Sequence, residues 1–414
     1  MLELRLTLKL VRKSAIGFIL VAAVLDVMAM GIVIPVLPHL IEEFVGSNAR
    51  AGLLNGLFVA LWAGMQFLAS PVIGSLSDQY GRRPVILISC AGLAADYVLM
   101  ALAPNLWWLA VGRILAGVTS SSFTTIYAYM ADVTAPDDRA RGYGLIGAAF
   151  SFGFVLGPAL GGLLGHFGPR VPFWVAAGLS GVAFLYGLFV LPESLPVEKR
   201  MAFSWKRANP VGAMILLKRH FELVGLAMVN FLLYFAHHVF SAVFVLYAGF
   251  KFGWGPLQVG LLLAMVGVLD MAVQGGLVGR MSKRFGDRRT MVFGLWAGAV
   301  GIALMGLVPT GAMFIAAMFP NALWGLAMPT LQALMTRRVS ESEQGQLQGA
   351  NMSVASIAGV ASPLFFGWVY SISVPHGREA AGIAFYIAAL VLVAGAVLGG
   401  VTARRANRQE KAQT

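Results

Sequence analysis

A chain of 414 residues with 58% hydrophobic and only 12% charged side chains lies outside the range of soluble domains, which average roughly 45–50% and 25%. A formal net charge of +12 suggests nucleic acid, but its distribution excludes that class. All of the 30 Lys and Arg except Arg50, Arg113, Arg170, Lys251 and Arg378 sit at the termini or in every second loop, the alternation that places both termini in the cytosol with some attraction to anionic lipid.

Twelve apolar runs follow one another, at about 14–37, 51–73, 84–103, 106–131, 142–165, 171–191, 221–248, 256–279, 290–308, 311–335, 346–371 and 379–402. Each is near the ~20 residues that cross ~30 Å of hydrocarbon. They predict helices, because lipid cannot satisfy open strand edges and the period-2 pattern of membrane barrels is absent. Arg5, Lys9, Arg12 and Lys13 precede the first run as in a signal peptide. That run is too long and carries Asp26 and Pro35, so it is expected to be a retained helix. The single Cys90 excludes an internal disulfide.

Charge inside an apolar run costs roughly 2.5–3.5 kcal/mol on insertion scales. The first run nevertheless holds Asp26, the third Asp96, the fourth Arg113 and the eighth Asp270. At ~1.5 Å per residue, Asp26, Asp96 and Arg113 fall near one depth. Two carboxylates and a guanidinium at one depth can take up and release a proton as their surroundings change. The bland alternative is a static ion pair that fixes helix packing. For Asp270 that alternative names Arg280 as partner.

After the second run comes Gly74-Ser75-Leu76-Ser77-Asp78-Gln79-Tyr80-Gly81-Arg82-Arg83, and 205 residues later Gly279-Arg280-Met281-Ser282-Lys283-Arg284-Phe285-Gly286-Asp287-Arg288. The same offset joins Ser151 to Ser356, Gly144 to Gly349 and Pro158 to Pro363. Two like-oriented halves repeated in sequence are the plan of a transporter that rocks about its centre. In the first copy Gly74 and Gly81 are expected to permit a tight turn, holding Asp78, Arg82 and Arg83 at the membrane surface. The second copy has Lys283 where Asp78 stands. The fifth run spaces Gly153, Gly157, Gly161 and Gly165 by four, with Pro158 and Gly162 inserted. That is a smooth face for close helix approach, with an expected kink.

In the second half, Phe231, Tyr234, His238 and Ser241 recur at helical spacing in the seventh run. Asn321, Trp324 and Gln332 lie in the tenth. Flat apolar walls with few polar fixings suit a bulky amphipathic ligand, though aromatic residues also simply pack helices. No Gly-x-x-x-x-Gly-Lys phosphate loop occurs, so ATP is not the expected energy source. No metal site, catalytic residue or resident cofactor is expected.

The stretch from Leu25-Asp26 to Val36-Leu37-Pro38, the Gly74–Pro84 loop, Gly112-Arg113-Ile114-Leu115-Ala116-Gly117 and Gly157-Pro158-Ala159-Leu160-Gly161-Gly162 resemble the major facilitator superfamily. Met65-Gln66-Phe67, Ala95-Asp96-Tyr97, Leu191-Pro192-Glu193-Ser194 and Gly345-Gln346-Leu347-Gln348-Gly349 add a narrower likeness to its twelve-helix drug/proton antiporters, the tetracycline efflux branch above all. The likeness covers nearly the whole chain and is denser in the first half.

The resemblance implies a fold and roles. The fold is all-α and membrane-integral, with twelve helices in two six-helix bundles: residues 1–191 and 221–403, a cytosolic linker at 192–220 and a polar tail at 404–414. Asp26, Asp96, Arg113 and Asp270 would couple protons. Gly74, Asp78, Gly81, Arg82, Arg83 and Asp132 would form a gating loop. Gly157, Pro158, Gly161 and Gly162 would be the antiporter hinge. Gln66, Phe231, Tyr234, His238, Asn321, Trp324 and Gln332 would bind substrate. The function would be proton-coupled export of a drug-like molecule from a bacterial cytoplasmic membrane by a monomer, with a divalent metal present only if a chelating substrate carries it. The second half departs from the branch. It lacks the ninth-run acid, the match falling at Gly298, and has Asp270 where the branch carries a His in the eighth run. Uptake of a nutrient by the same fold, or a non-transporting sensor or scaffold, are the alternatives.

Overall fold

The computed structural model describes residues 2–120, 123–134, 138–205, 209, 216–217, 220–340 and 343–413. Among these no strand occurs. Twelve helices are long and apolar enough to cross a membrane. They are α1 (Ile16–Val45), α2 (Asn48–Tyr80), α3 (Arg82–Leu102), α4 (Leu106–Val133), α5 (Gly142–Gly165), α6 (Val171–Val190), α7 (Leu223–Phe252), α8 (Pro256–Phe285), α9 (Asp287–Leu307), α10 (Gly311–Thr336), α11 (Gln346–His376) and α12 (Ala380–Thr402). The expected all-helical membrane fold is present.

Several boundaries differ from the apolar runs, for local reasons. The first span reaches Val45 because its helix yields to a turn at residues 34–36 and resumes at Leu37. Pro35 cannot donate a backbone bond there, and Pro38 fits the first turn of the resumed helix. The second helix continues through Gly74 to Tyr80, so Gly74 makes no turn. Gly81 alone breaks the chain, at φ +103°, a conformation that glycine adopts without a Cβ penalty. The last helix runs on through the polar tail to Gln413.

Besides the turn in α1 and the 3-10 turns that end α11 and begin α12, spans of the second half depart from regular α geometry in their interiors. A π-turn occupies Phe240–Phe244 of α7 and another Val273–Leu277 of α8, while α10 tightens to a 3-10 turn at Leu323–Leu326. Turns of the π kind concentrate at functional sites.

The chain forms two compact units, Met1–Leu40 with Met65–Asn209 and Gly255–Ala264, and Ile41–Gly64 with Pro210–Trp254 and Met265–Thr414. In the first, α1 packs on α5 and α6, and α3 on α6 and α4; in the second, α7 packs on α11 and α12, and α9 on α12 and α10. The pairings repeat helix for helix at a six-helix offset, as the sequence repeat requires. Phe18, Ile19, Ile86, Tyr129 and Ile146 fill the first core. Stacked and tilted rings of Phe244, Tyr247, Phe314 and Phe385 fill part of the second.

Relative to the sequence halves, each unit takes one piece of the other, and close backbone packing explains why. In the first unit, Gly260 of α8 lies so near the Pro158 carbonyl of α5 that a Cβ would collide with it. In the second, Gly56 of α2 has the same relation to the Pro363 carbonyl of α11. Small residues are what permit such approach between membrane helices. Of the linker, residues 206–208, 210–215 and 218–219 lie outside the described residues.

Candidate functional site

The first unit brings three of the four intramembrane charges together. Asp96 of α3 is fully buried and Asp26 of α1 nearly so. The Arg113 guanidinium of α4 stands 3.7 Å from Asp96 Oδ2, with its side chain 13% exposed. Arg113 also donates to the Met100 sulfur at 3.0 Å. Gly112 makes this possible, since a Cβ there would sit 2.7 Å from Asp96 Oδ1. Buried Tyr97 lies within electrostatic reach of Asp26, Asp96 and Arg113. Neither oxygen of Asp96, nor Oδ1 of Asp26, has a hydrogen-bond partner among the described residues. Buried carboxylate oxygens without donors are costly. A neutral, protonated carboxyl would lower that cost.

At the end of α2 the expected gating residues also meet. Arg82 donates to Asp78 and Ser77 at 2.6 Å each and to Asp132 at 3.2 Å. Ser194 donates to the same Asp132 oxygen at 3.0 Å. Arg83 points elsewhere, to the Leu188 carbonyl at 2.7 Å. Gly74 takes no part in a turn, although its carbonyl accepts from Ser77 at 2.8 Å. The organiser of this corner, given no role in the sequence reading, is Glu193. Its carboxylate accepts from the backbone N–H of Arg82, Arg83, Ser194 and Leu195. It thereby caps the start of α3, where orphan N–H groups and the helix dipole both favour an anion. The signal was present in Pro192-Glu193-Ser194, an acid just past an apolar run.

The glycine face of α5 is a packing surface against α1. Cβ atoms at Gly157 and Gly161 would strike the backbones of Met28, Gly31 and Ile32. Gly162 and Gly165 turn instead to Pro256 and Gly260 at the start of α8. The helix stays continuous through Pro158.

In the second unit the expected substrate residues divide into small groups. His238 Nδ1 lies 3.3 Å from Ser241 Oγ, and its other nitrogen faces Gly359 of α11. Trp324 meets the neighbouring His237, ring centres 5.5 Å apart. Gln332 accepts from Asn351 at 3.0 Å, and Asn230 donates to the Asn351 carbonyl at 3.3 Å. Phe231 packs its ring, tilted, against that of Phe235. Tyr234 is half-buried on the same helix, and Gln66 lies in the middle of α2. Asn321 Oδ1, Trp324 Nε1 and Gln332 Nε2 are buried without a hydrogen-bond partner among the described residues. Asp270 is half-buried beside Gly325 in the 3-10 turn of α10. It does not pair with Arg280, which donates to the Gly276 carbonyl at 3.0 Å.

The missing ninth-run acid has a steric counterpart. A Cβ on Gly298 would stand 2.9 Å from Cβ and Cγ of Trp324, so the indole fills the place an acid would need. Asn55 was also overlooked. It is buried in α2 and donates to the carbonyls of Ser241 and Ala242 at 3.1 and 2.7 Å, inside the π-turn of α7. Its sequence signal was a lone amide in an apolar run.

Comparison with known proteins adds the family context. The family model described as Major Facilitator Superfamily matches residues 19–277 and 226–414. The chain is 38% identical over 381 residues to the class C tetracycline resistance protein of Escherichia coli, covering 92% of this chain and 95% of that one. It is also 38% identical to the class G tetracycline resistance protein of Vibrio anguillarum, over 87% and 91% of the two chains. Among solved structures, the nucleoside transporter NupG superposes with a TM-score of 0.79 at 14% identity, over 94% of this chain and 99% of that one.

Proposed function

The chain belongs to the major facilitator superfamily, and from that premise we propose that it exports a hydrophobic or amphipathic drug-like molecule in exchange for protons, by alternating access. The observation that carries this reading is the set of buried, donorless carboxylate oxygens of Asp26 and Asp96, with one guanidinium 3.7 Å from the second. The similarity to tetracycline resistance proteins over most of the chain supports a tetracycline-like or multidrug substrate.

The cycle follows from charge. With Asp26 and Asp96 ionised, the first unit holds two negative charges against one Arg113. A proton taken from the outer side removes one of these charges and weakens the hold on substrate. Loss of that proton to the cytosol restores it. Asp270, half-buried in the second unit and without an ion-pair partner among the described residues, is a further carboxylate for coupling or for the substrate's polar groups. Asn321, Trp324 and Gln332 offer free polar atoms, and His238 an imidazole, to orient an aromatic ligand. A divalent metal enters only as part of a chelating substrate.

The driving force suffices. One proton crossing ~100 mV releases about 2.3 kcal/mol, and a tenfold proton gradient adds about 1.4 kcal/mol. Together these sustain a gradient of several hundredfold for a neutral solute, at about 1.4 kcal/mol per decade. The test is proton-driven accumulation in energised everted vesicles over a panel of drugs. Asp26→Asn and Asp96→Asn should each abolish accumulation at normal membrane abundance. Wild-type accumulation by both variants would end the proposal.

A further inference from the structure

Three charges in the cytosolic corner of the first unit have counterparts 205 residues on, and every sign is reversed. Asp78, Arg82 and Asp132 become Lys283, Asp287 and Arg337. The geometry is retained. Arg82 is the buried member of the first pair, with Asp132 more exposed at 3.2 Å. Asp287 is the buried member of the second, with Arg337 exposed at 2.6 Å. The serine beside each buried charge is retained as well, since Ser77 accepts from Arg82 and Ser282 donates to Asp287. Gly81 and Gly286 both precede the buried charge at positive φ.

The helix dipole explains why the sign turns over. The start of α3 carries two arginines, and its anion comes from outside, from Glu193 at the end of α6. The position 205 residues after Glu193 is Leu398, which can supply no charge to α9. The anion at the start of α9 is therefore Asp287 itself, in the first turn, where a carboxylate is stabilising. With an acid fixed at that place, its partner on the next helix must be basic, and it is Arg337.

We propose that Asp287 and Arg337 are positioning residues for transport: a second clasp that ties the start of α9 to the end of α10, so that this corner moves as one piece during the cycle. It is the charge-reversed equivalent of Arg82–Asp132 and works without the linker. The first clasp depends on Glu193. The inference rests on the transport reading above for its readout, but not for its geometry.

The experiment compares Asp287→Asn, Arg337→Gln, Asp287→Glu and the swap D287R/R337D, by initial transport rate in everted vesicles and by melting temperature of the purified full chain. Asp287→Asn is expected to lose about tenfold in rate at normal membrane abundance, because it unpairs a buried site. Arg337→Gln should lose less, and Asp287→Glu should stay near wild type. The swap should exceed the worse single variant in both rate and melting temperature. A further arm joins D287C to R337C with a short bis-thiol reagent in a C90A background. A clasp that never opens should still transport when joined. A swap no better than the worse single variant, or arrest on joining, overturns the proposal. If wild-type vesicles move no compound of the panel, the export reading fails by itself, and the melting temperatures still decide whether the clasp exists.

Discussion

Gly298 shows how one missing side chain redirects a site. An acid at this place would need the space that the Trp324 indole occupies, 2.9 Å from a Cβ on residue 298. Gly298→Asp is therefore expected to lower the melting temperature, at an overpacking cost of about 1–3 kcal/mol plus that of an unpaired buried charge. Adding Trp324→Ala should recover part of the loss. Equal melting of wild type and Gly298→Asp would show that the indole yields freely. A second residue acts through pH. Glu343, outside the spans, accepts from the Ser340 hydroxyl and backbone N–H and lies 3.2 Å from His220 Nε2. The Ser340 hydroxyl first, then His220, holds its carboxyl down to about 2. Because the folded value lies below the ordinary one, this contribution is fully present above the usual glutamate range and is lost as pH falls toward 2. Wild type should accordingly lose more melting temperature between pH 5 and pH 3 than Glu343→Gln does. Parallel curves for the two would remove the contact from the account.

At the scale of elements, the number and kind of helices were legible and their irregularities were not. An apolar run of ~20 residues declares a span because the bilayer sets its length. A π-turn or a 3-10 turn shifts the hydrogen-bond ladder by one residue and leaves the run's composition unchanged. Thus Phe240–Phe244 and Val273–Leu277 left no mark in hydropathy. Of the site, Asp26, Asp96 and Arg113 were legible because charge in oil is conspicuous. Glu193 and Asn55 were not assigned, because their roles depend on which backbone groups another helix leaves free. The π-turn of α7 shows the dependence. In lipid every backbone group needs a partner, and Asn55 supplies one to the carbonyls of both Ser241 and Ala242. Asn55→Leu keeps the volume and removes the donor. It should cost about 1–3 kcal/mol for each carbonyl left dry and speed amide exchange in residues 239–245. Unchanged exchange there would mean that the turn holds itself. Gln66, by contrast, sits where its run predicted, yet nothing in the geometry singles it out as a ligand.

For the whole molecule, the charge distribution makes the strongest prediction. Cytosolic loops retain Lys and Arg because the bias opposes their passage across the membrane. Basic residues cluster at both termini and where α2 meets α3, α4 meets α5, α6 meets α7, α8 meets α9 and α10 meets α11, whereas Arg50 in the first turn of α2, Arg170 just before α6, Lys251 in the last turn of α7 and Arg378 just before α12 stand singly. Two of these four are tied to backbone carbonyls and cannot serve as free topology signals. Arg170 donates to Ala101 and Ala103. Lys251 donates to Gly306 at 2.8 Å and is buried, a cation at the C-terminal end of α9 where the dipole favours it. The net bias is thus larger than the count suggests, and it predicts that both ion-paired corners and the linker face the cytosol. Single cysteines at Ser47, Gly168 and Gly377 in a C90A background should react with an impermeant maleimide from outside intact cells. Cysteines at Tyr80 and Phe285 should react only in everted vesicles. The opposite pattern would place Glu193 and both clasps outside the cell and leave the proposed direction of export without a basis.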